Sequence, residues 1–221
     1  MEKKLVIVGN GPYARMMKEY IMMDHTAGGL VAFVVDEEYI REKDIDEIPV
    51  LSFVEFRVNF SVTEVELIMG IGYTGMGEVR KHIFERCKSW GYSFGNYIHP
   101  TAIVVKNVKM GEGNNILEGV ILESGVEIGN ANLFFGGSLI AHETIIGNYN
   151  SFSVKSCIAG CVEIENNCFF GASSTVRDHV MIHNHVLVGA TAYVFKDIKA
   201  HSVVKPAKSS IDEGETSTNY L

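Results

Sequence analysis

The sequence predicts a small parallel α/β domain of Rossmann-like type over residues 1–97, a β-solenoid over residues 98–205 and a short tail over residues 206–221. Three observations predict it. Strand-like and helix-like segments alternate over the first 95 or so residues, which is the pattern of a parallel sheet covered by helices. Every sixth residue from Ile98 to Val194 is apolar, seventeen positions without a polar one. At 47% hydrophobic composition, chance gives such a run with a probability of roughly 10⁻⁵ after allowing for six registers. A period of six suits neither a continuous helix nor a continuous strand, so it describes a short flat segment and a turn, repeated. Finally, Met110-Gly111, Ile128-Gly129 and Ile146-Gly147 recur every 18 residues, so three hexapeptides make one coil of a triangular prism.

Taken in order, Lys4–Val8 reads as a buried strand, followed by the turn Gly9-Asn10-Gly11-Pro12 and a helical pattern from Tyr13 to about Asp24, broken at Gly28-Gly29. Leu30–Val35 is a second strand ending at Asp36, Val65–Gly70 is a third, and Met76–Trp90 is a helix closed by Gly91. Ligands of such domains sit beyond the carboxyl ends of the strands, which here carry Gly9, Asp36, Gly72 and Tyr73. From His99-Pro100 the period changes to six, which places the domain boundary near residue 97. Within the repeat, the fourth residue after an apolar one is usually small (Ser138, Thr144, Ser156, Cys168, Ser174, Ala192), as the inside of a narrow prism requires. Residues 98–199 hold about 5.7 coils, roughly 27 Å at ~4.8 Å per layer. A prism of three flat faces predicts a homotrimer, with Phe134, Phe152 and Phe170 in one inward column and so in the core.

Composition narrows the function. A net charge of −8 and few cations in the repeats exclude a nucleic-acid partner. There is no membrane-length apolar run, and Met1-Glu2-Lys3-Lys4 leads into a strand rather than a signal peptide, so a cytoplasmic protein is expected. The cysteines Cys87, Cys157, Cys161 and Cys168 contain no C-x-x-C pair and read as reduced core residues. Residues 18 apart share a column, so His142 stacks with Ser124, Gly160, Asp178 and Lys196, no second histidine flanks it, and no metal is expected. By the same arithmetic His183 and His201 share a column at the end of the prism.

Several residues could carry chemistry. Gly9-Asn10-Gly11 after a strand permits close approach of backbone N–H groups to a phosphate, although the same residues also make an ordinary strand-to-helix turn. Asp36 is placed to hold a ribose or base edge, or is only a solvated strand end. His142, near a corner and beside Glu143, is either an idle surface histidine or a proton acceptor at neutral pH. Lys196, Lys199, Lys205 and Lys208 put positive charge at the C-terminal end of an acidic chain, either as phosphate ligands or as guards of an exposed sheet edge.

The hexapeptide pattern resembles that of the hexapeptide-repeat acyltransferases, which implies a left-handed parallel β-helix. Within them, Ala141-His142-Glu143, Ala159-Gly160, Val162-Glu163-Ile164, Cys168-Phe169-Phe170-Gly171 and the closing Pro206-Ala207-Lys208 resemble the nucleotide-sugar acetyltransferases related to the bacillosamine N-acetyltransferase and sialic acid O-acetyltransferase enzymes. The resemblance covers residues 4 to about 208. It implies that His142 is the general base with Glu143 supporting it, that the Gly160 N–H faces the thioester carbonyl of acetyl-CoA, and that the last coils hold the pantetheine arm, with Gly171 and Gly189 keeping that surface low. Ser151 stands where related N-acetyltransferases often have a second histidine at the acyl group, and Gly11-Pro12-Tyr13 replaces their Ser-Gly-His in the phosphate loop.

The resulting expectation is an acyl-CoA-dependent N-acyltransferase acting on a nucleotide-linked amino sugar. Gly9, Asn10, Gly11, Pro12, Tyr13, Asp36, Gly72 and Tyr73 are expected at the nucleotide-sugar. Ser151, Gly160, Gly171, Gly189, Lys205 and Lys208 are expected at the coenzyme, with the active sites between subunits. A sugar O-acetyltransferase and a non-catalytic scaffold are the alternatives, and the second has no need of His142-Glu143.

Overall fold

The computed structural model describes residues 3–23 and 29–209. Asp24, Gly28 and all of the tail beyond residue 209 lie outside the described residues. The first sheet has five strands, β1 Lys4–Val8, β2 Leu30–Val35, β3 Asp44–Ile45, β4 Ile48–Ser52 and β5 Val65–Met69, in the order β3-β4-β2-β1-β5. All neighbours are parallel except β3 and β4. The apolar runs of β1, β2 and β5 are buried because helices cover the sheet: α1 Pro12–Met23, α2 Phe53–Asn59 and α3 Glu78–Ser89.

Three of these elements, β3, β4 and α2, are additions to the sequence reading. Ser52 caps α2, its side chain accepting from the Glu55 N–H while the Glu55 carboxylate accepts from the Ser52 N–H. The predicted helix at Met76 begins at Glu78 instead, because Gly75, Met76 and Gly77 all have positive φ and form a left-handed turn. Gly77 is required there, since a β-carbon would meet the Tyr149 carbonyl oxygen.

From Tyr97 the chain winds into a three-sided prism of two-residue strands, all paired in parallel with the strand one coil away. The first face runs from Tyr97–Ile98 to Val203–Val204, the second from Ile103–Val104 to Tyr193–Val194, and the third from Lys109–Met110 to Met181–Ile182. Ile128 pairs with Ile146 and Ile146 with Ile164, the 18-residue register. Corners are turned by residues with positive φ, among them Glu143, Cys161 and His179 in one column. Phe134, Phe152 and Phe170 stack inside with ring centroids 4.7 and 4.8 Å apart and rings 2° from parallel. Asn114, Asn132 and Asn150 bond one another from coil to coil, which satisfies polar groups that are fully buried.

The last coil departs from the period. Val204 pairs with Val188, 16 residues back, and Ile198 bridges Ile182. Two residues are missing from that coil, so the expected His183–His201 column does not form; His201 stacks on His185 at 4.9 Å instead.

Candidate functional site

The α/β domain holds a cavity of about 1160 Å³ at the carboxyl ends of β1, β2 and β5. Gly9, Asn10, Gly11, Pro12, Tyr13, Asp36, Gly72 and Tyr73 all line it, as do Arg41, His82 and Phe135. Gly9 has φ +116°, and a β-carbon on it would sit 2.8 Å from the Gly70 carbonyl oxygen, so only glycine turns the chain here. The turn delivers Pro12 as the first residue of α1, leaving that helix's N-terminal N–H groups at the cavity, a favourable place for a phosphate. Asn10 donates to the Tyr39 carbonyl at 2.8 Å and ties the loop after β2 to the loop after β1. Asp36 is at the rim, but its carboxylate accepts from Arg86 at 2.9 Å, and that guanidinium lies over the Phe53 ring. Tyr13 is anchored rather than free: its hydroxyl accepts from Asn115 at 3.0 Å, and burial pushes its pKa up. Tyr73 forms an exposed aromatic lip against Phe135 and Phe169.

The prism seats its first face on this domain. Arg80, fully buried, donates to the carbonyls of Gly72 at 2.7 Å, Ala131 at 2.7 Å, Tyr149 at 2.6 Å and Asn150 at 3.0 Å. Its fifth bond is to Ser151 Oγ at 3.0 Å. Desolvation pushes its pKa down to about 10, so it stays charged at neutral pH. Ser151 is therefore sealed beneath the α/β domain rather than on an open surface, contrary to its expected place at the acyl group. The physical reason is that position 151 opens the strand on the covered face, where Arg80 takes the hydroxyl.

His142 lies on the corner between the second and third faces, exposed, with its imidazole across Gly160 one coil on. A β-carbon on Gly160 would fall 2.5 Å from Cε1 and 2.6 Å from Nε2. The Gly160 N–H donates to no group among the described residues, whereas the neighbouring Cys161 N–H bonds the His142 carbonyl at 2.9 Å. Glu143 does not reach the imidazole. Its positive φ turns the side chain back over Gly125, one coil earlier. The carboxylate that touches His142 is Glu123, whose Oε2 accepts from the His142 N–H at 3.0 Å.

The other coenzyme candidates are dispersed. Gly171 and Gly189 belong to the corner between the first and second faces, apart from the column of His142. A β-carbon on Gly171 would strike the Ala190 backbone, and one on Gly189 would lie 2.9 Å from Pro206 Cδ, so coil stacking already requires both glycines. Lys205 continues that corner, while Lys196 ends the column of His142. Lys196, Lys199, Lys205 and Lys208 are exposed, and none is in an ion pair among the described residues. The described residues contain no group of three His, Cys, Asp or Glu side chains able to hold a metal ion, and no helix long and apolar enough to cross a membrane.

Sequence reasoning missed Arg80, Glu123 and Phe135. Arg80 sits in a helical pattern where charge reads as solvated, and nothing local marks its burial. Glu123 was within reach, since it is 18 residues before Ala141 and is a carboxylate in a column of Val105, Ala141 and Ala159. Phe135 simply follows an inward residue.

No protein-family model matches the chain, and no curated protein sequence matches it. Solved structures do. The acetyltransferase domain of PglB from Neisseria gonorrhoeae superposes with a TM-score of 0.81 at 18% identity, over 93% of this chain and 100% of that one. PerB from Caulobacter crescentus, solved with CoA and GDP-perosamine, gives 0.79 at 24% identity over 90% and 92% of the chains. WeeI from Acinetobacter baumannii gives 0.81 at 19% identity over 92% and 97%. The chain thus has the fold of these structures, a Rossmann-like domain followed by a left-handed parallel β-helix.

Proposed function

We propose that the protein is an acyl-CoA-dependent N-acyltransferase of the cytoplasm that moves an acetyl group from acetyl-CoA to the amine of a nucleotide-linked amino sugar. The observation that carries the reading is the exposed imidazole of His142 laid across Gly160, whose N–H has no acceptor among the described residues. A base and an oxyanion donor side by side are what acyl transfer from a thioester to an amine requires. The amine nitrogen attacks the thioester carbonyl as His142 takes its proton, and the oxyanion draws on the Gly160 N–H. Collapse forms the amide, breaks the C–S bond and returns a proton to the coenzyme thiolate. The cavity beyond β1, β2 and β5 offers a helix N-terminus to the diphosphate and an aromatic lip to the sugar. The similar structures of PerB, solved with CoA and GDP-perosamine, and of the PglB acetyltransferase domain, solved with acetyl coenzyme A, support both substrates.

Two subunits are needed. The α/β domain covers the first face, and His142 stands on the opposite corner, across a prism whose six-residue sides span roughly 15–20 Å at ~3.3 Å per residue. The second face presents Ile103, Ile121, Leu139, Cys157, Thr175 and Tyr193 in one outward column, an apolar stripe suited to a copy of the same chain. In a homotrimer, the His142 corner of one subunit meets the cavity of its neighbour. The lysines at the prism end, with Lys196 three coils or about 14 Å from His142 at ~4.8 Å per layer, receive the coenzyme phosphates in this reading. The test is incubation of acetyl-CoA with UDP-, GDP- and dTDP-linked amino sugars, read by release of free thiol. Release that depends on an amino sugar supports the reading; none with any acceptor overturns it.

A further inference from the structure

We infer that Glu123 is the positioning residue for His142, holding the corner peptide from the coil below so that the imidazole lies over Gly160. The inference rests on the reading of His142 as the base. The imidazole makes no hydrogen bond among the described residues, so its place is set by its backbone and by the bare surface of Gly160. The Glu123 carboxylate accepts the His142 N–H at 3.0 Å and thereby fixes the Ala141–His142 peptide plane, from which the Cα–Cβ bond projects. At the equivalent place one coil on, Ala141 stands below Gly160 and offers the Gly160 N–H nothing. The two N–H groups are therefore sorted by one side chain: that of His142 is occupied, and that of Gly160 is left for the thioester oxygen.

Neighbouring groups do not replace Glu123 in this role. Glu143 is turned over Gly125. Cys161 binds the His142 carbonyl through its own N–H, which fixes the following peptide and not the preceding one. Arg177, Asp178 and His179 begin two coils on and pair among themselves. Glu123 is half-buried and has no cationic partner among the described residues, so its strong contact is the N–H of His142.

The test uses the full chain with Glu123→Ala and Glu123→Gln. Selective ¹⁵N labelling of histidine reports the His142 amide, which in Glu123→Ala moves upfield and exchanges faster, and in Glu123→Gln, where an amide oxygen still accepts, stays near its wild-type position. With acetyl-CoA and the amino sugar that supports thiol release in the wild type, Glu123→Ala lowers kcat about 10- to 50-fold with both KM values within twofold and an unchanged melting curve, and Glu123→Gln recovers most of the loss. An unmoved amide in Glu123→Ala overturns the contact. A moved amide with wild-type kcat overturns the positioning role. Failure of the wild type with every acceptor counts against His142 as a base, while the amide signal still decides whether Glu123 holds the corner.

Discussion

Replacing Gly160 by alanine separates the work of His142 from the stability of the prism. The Gly160 backbone lies outside the left-handed region, so a side chain adds no backbone strain. The three atoms nearest the new methyl all belong to the imidazole, Cε1 at 2.5 Å, and the ring must retreat by about 0.9 Å to reach an ordinary contact of 3.4 Å. Because the ring is exposed, this costs little: an off-rotamer histidine loses ~0.5–1.5 kcal/mol, and Gly→Ala returns ~0.4–1 kcal/mol through the unfolded chain. Stability should change by less than about 1 kcal/mol, a shift of a few degrees in Tm at most. Catalysis is far more sensitive, since a misplacement of about 1 Å at a reacting group costs on the order of 10²-fold, or ~2.7 kcal/mol of barrier. Thermal melting and steady-state thiol release on one preparation measure both. A folded Gly160→Ala protein with wild-type kcat would refute the argument that the imidazole works where it lies.

Other expectations follow from the same structure. Lys205→Ala and Lys208→Ala should raise KM for acetyl-CoA severalfold at low salt with kcat and the sugar KM unchanged, and added salt should erase the difference; a double variant with wild-type KM leaves the lysines as edge guards. Ser156 carries a fully buried hydroxyl without a partner among the described residues, so Ser156→Ala should be neutral or stabilising by up to about 1 kcal/mol in urea melts; a loss beyond that means the hydroxyl is bonded. Burial raises the Glu112 carboxyl, but Lys88, the Phe94 N–H and Lys3 outweigh it and hold it below the usual range. A folded value below the unfolded one gives stability that is present above about pH 4.5 and is lost as pH falls through the folded value; Glu112→Gln should flatten the acid side of a Tm–pH curve, and an unchanged slope would show that the group contributes nothing.

The parts legible in the sequence are those where one physical rule acts alone. Leu5–Val8, Leu30–Val35 and Leu67–Met69 lie in a sheet covered by helices and so appear as apolar runs, and the coils repeat one packing problem every six residues. The segment from Asp44 to Asn59 was not legible as two strands and a helix, because Pro49 and charged neighbours interrupt the runs and α2 has only seven residues. Its capping pair, Ser52 and Glu55, was a usable signal. The shortened last coil breaks the column arithmetic that the rest of the prism obeys, which is why His201 meets His185. Gly9, Asp36, Gly72 and Tyr73 at the cavity follow from strand ends, whereas Arg80 and Ser151 acquire their roles only when the prism docks on the α/β domain. Glu143 shows the limit of adjacency: at a corner with positive φ, the next residue in sequence points to a different coil.

Comparison of the wild type with His142→Asn, on acetyl-CoA and the nucleotide-linked amino sugar that serves as acceptor, tests the central claim most directly. Thiol release and the mass of the sugar product are followed together, with melting curves to show that both proteins are folded. The account predicts an N-acetylated sugar formed in step with free thiol by the wild type, and a kcat lower by about 10²–10⁴ in His142→Asn. Equal turnover by the two proteins, or thiol release without an acetylated amine, would contradict it.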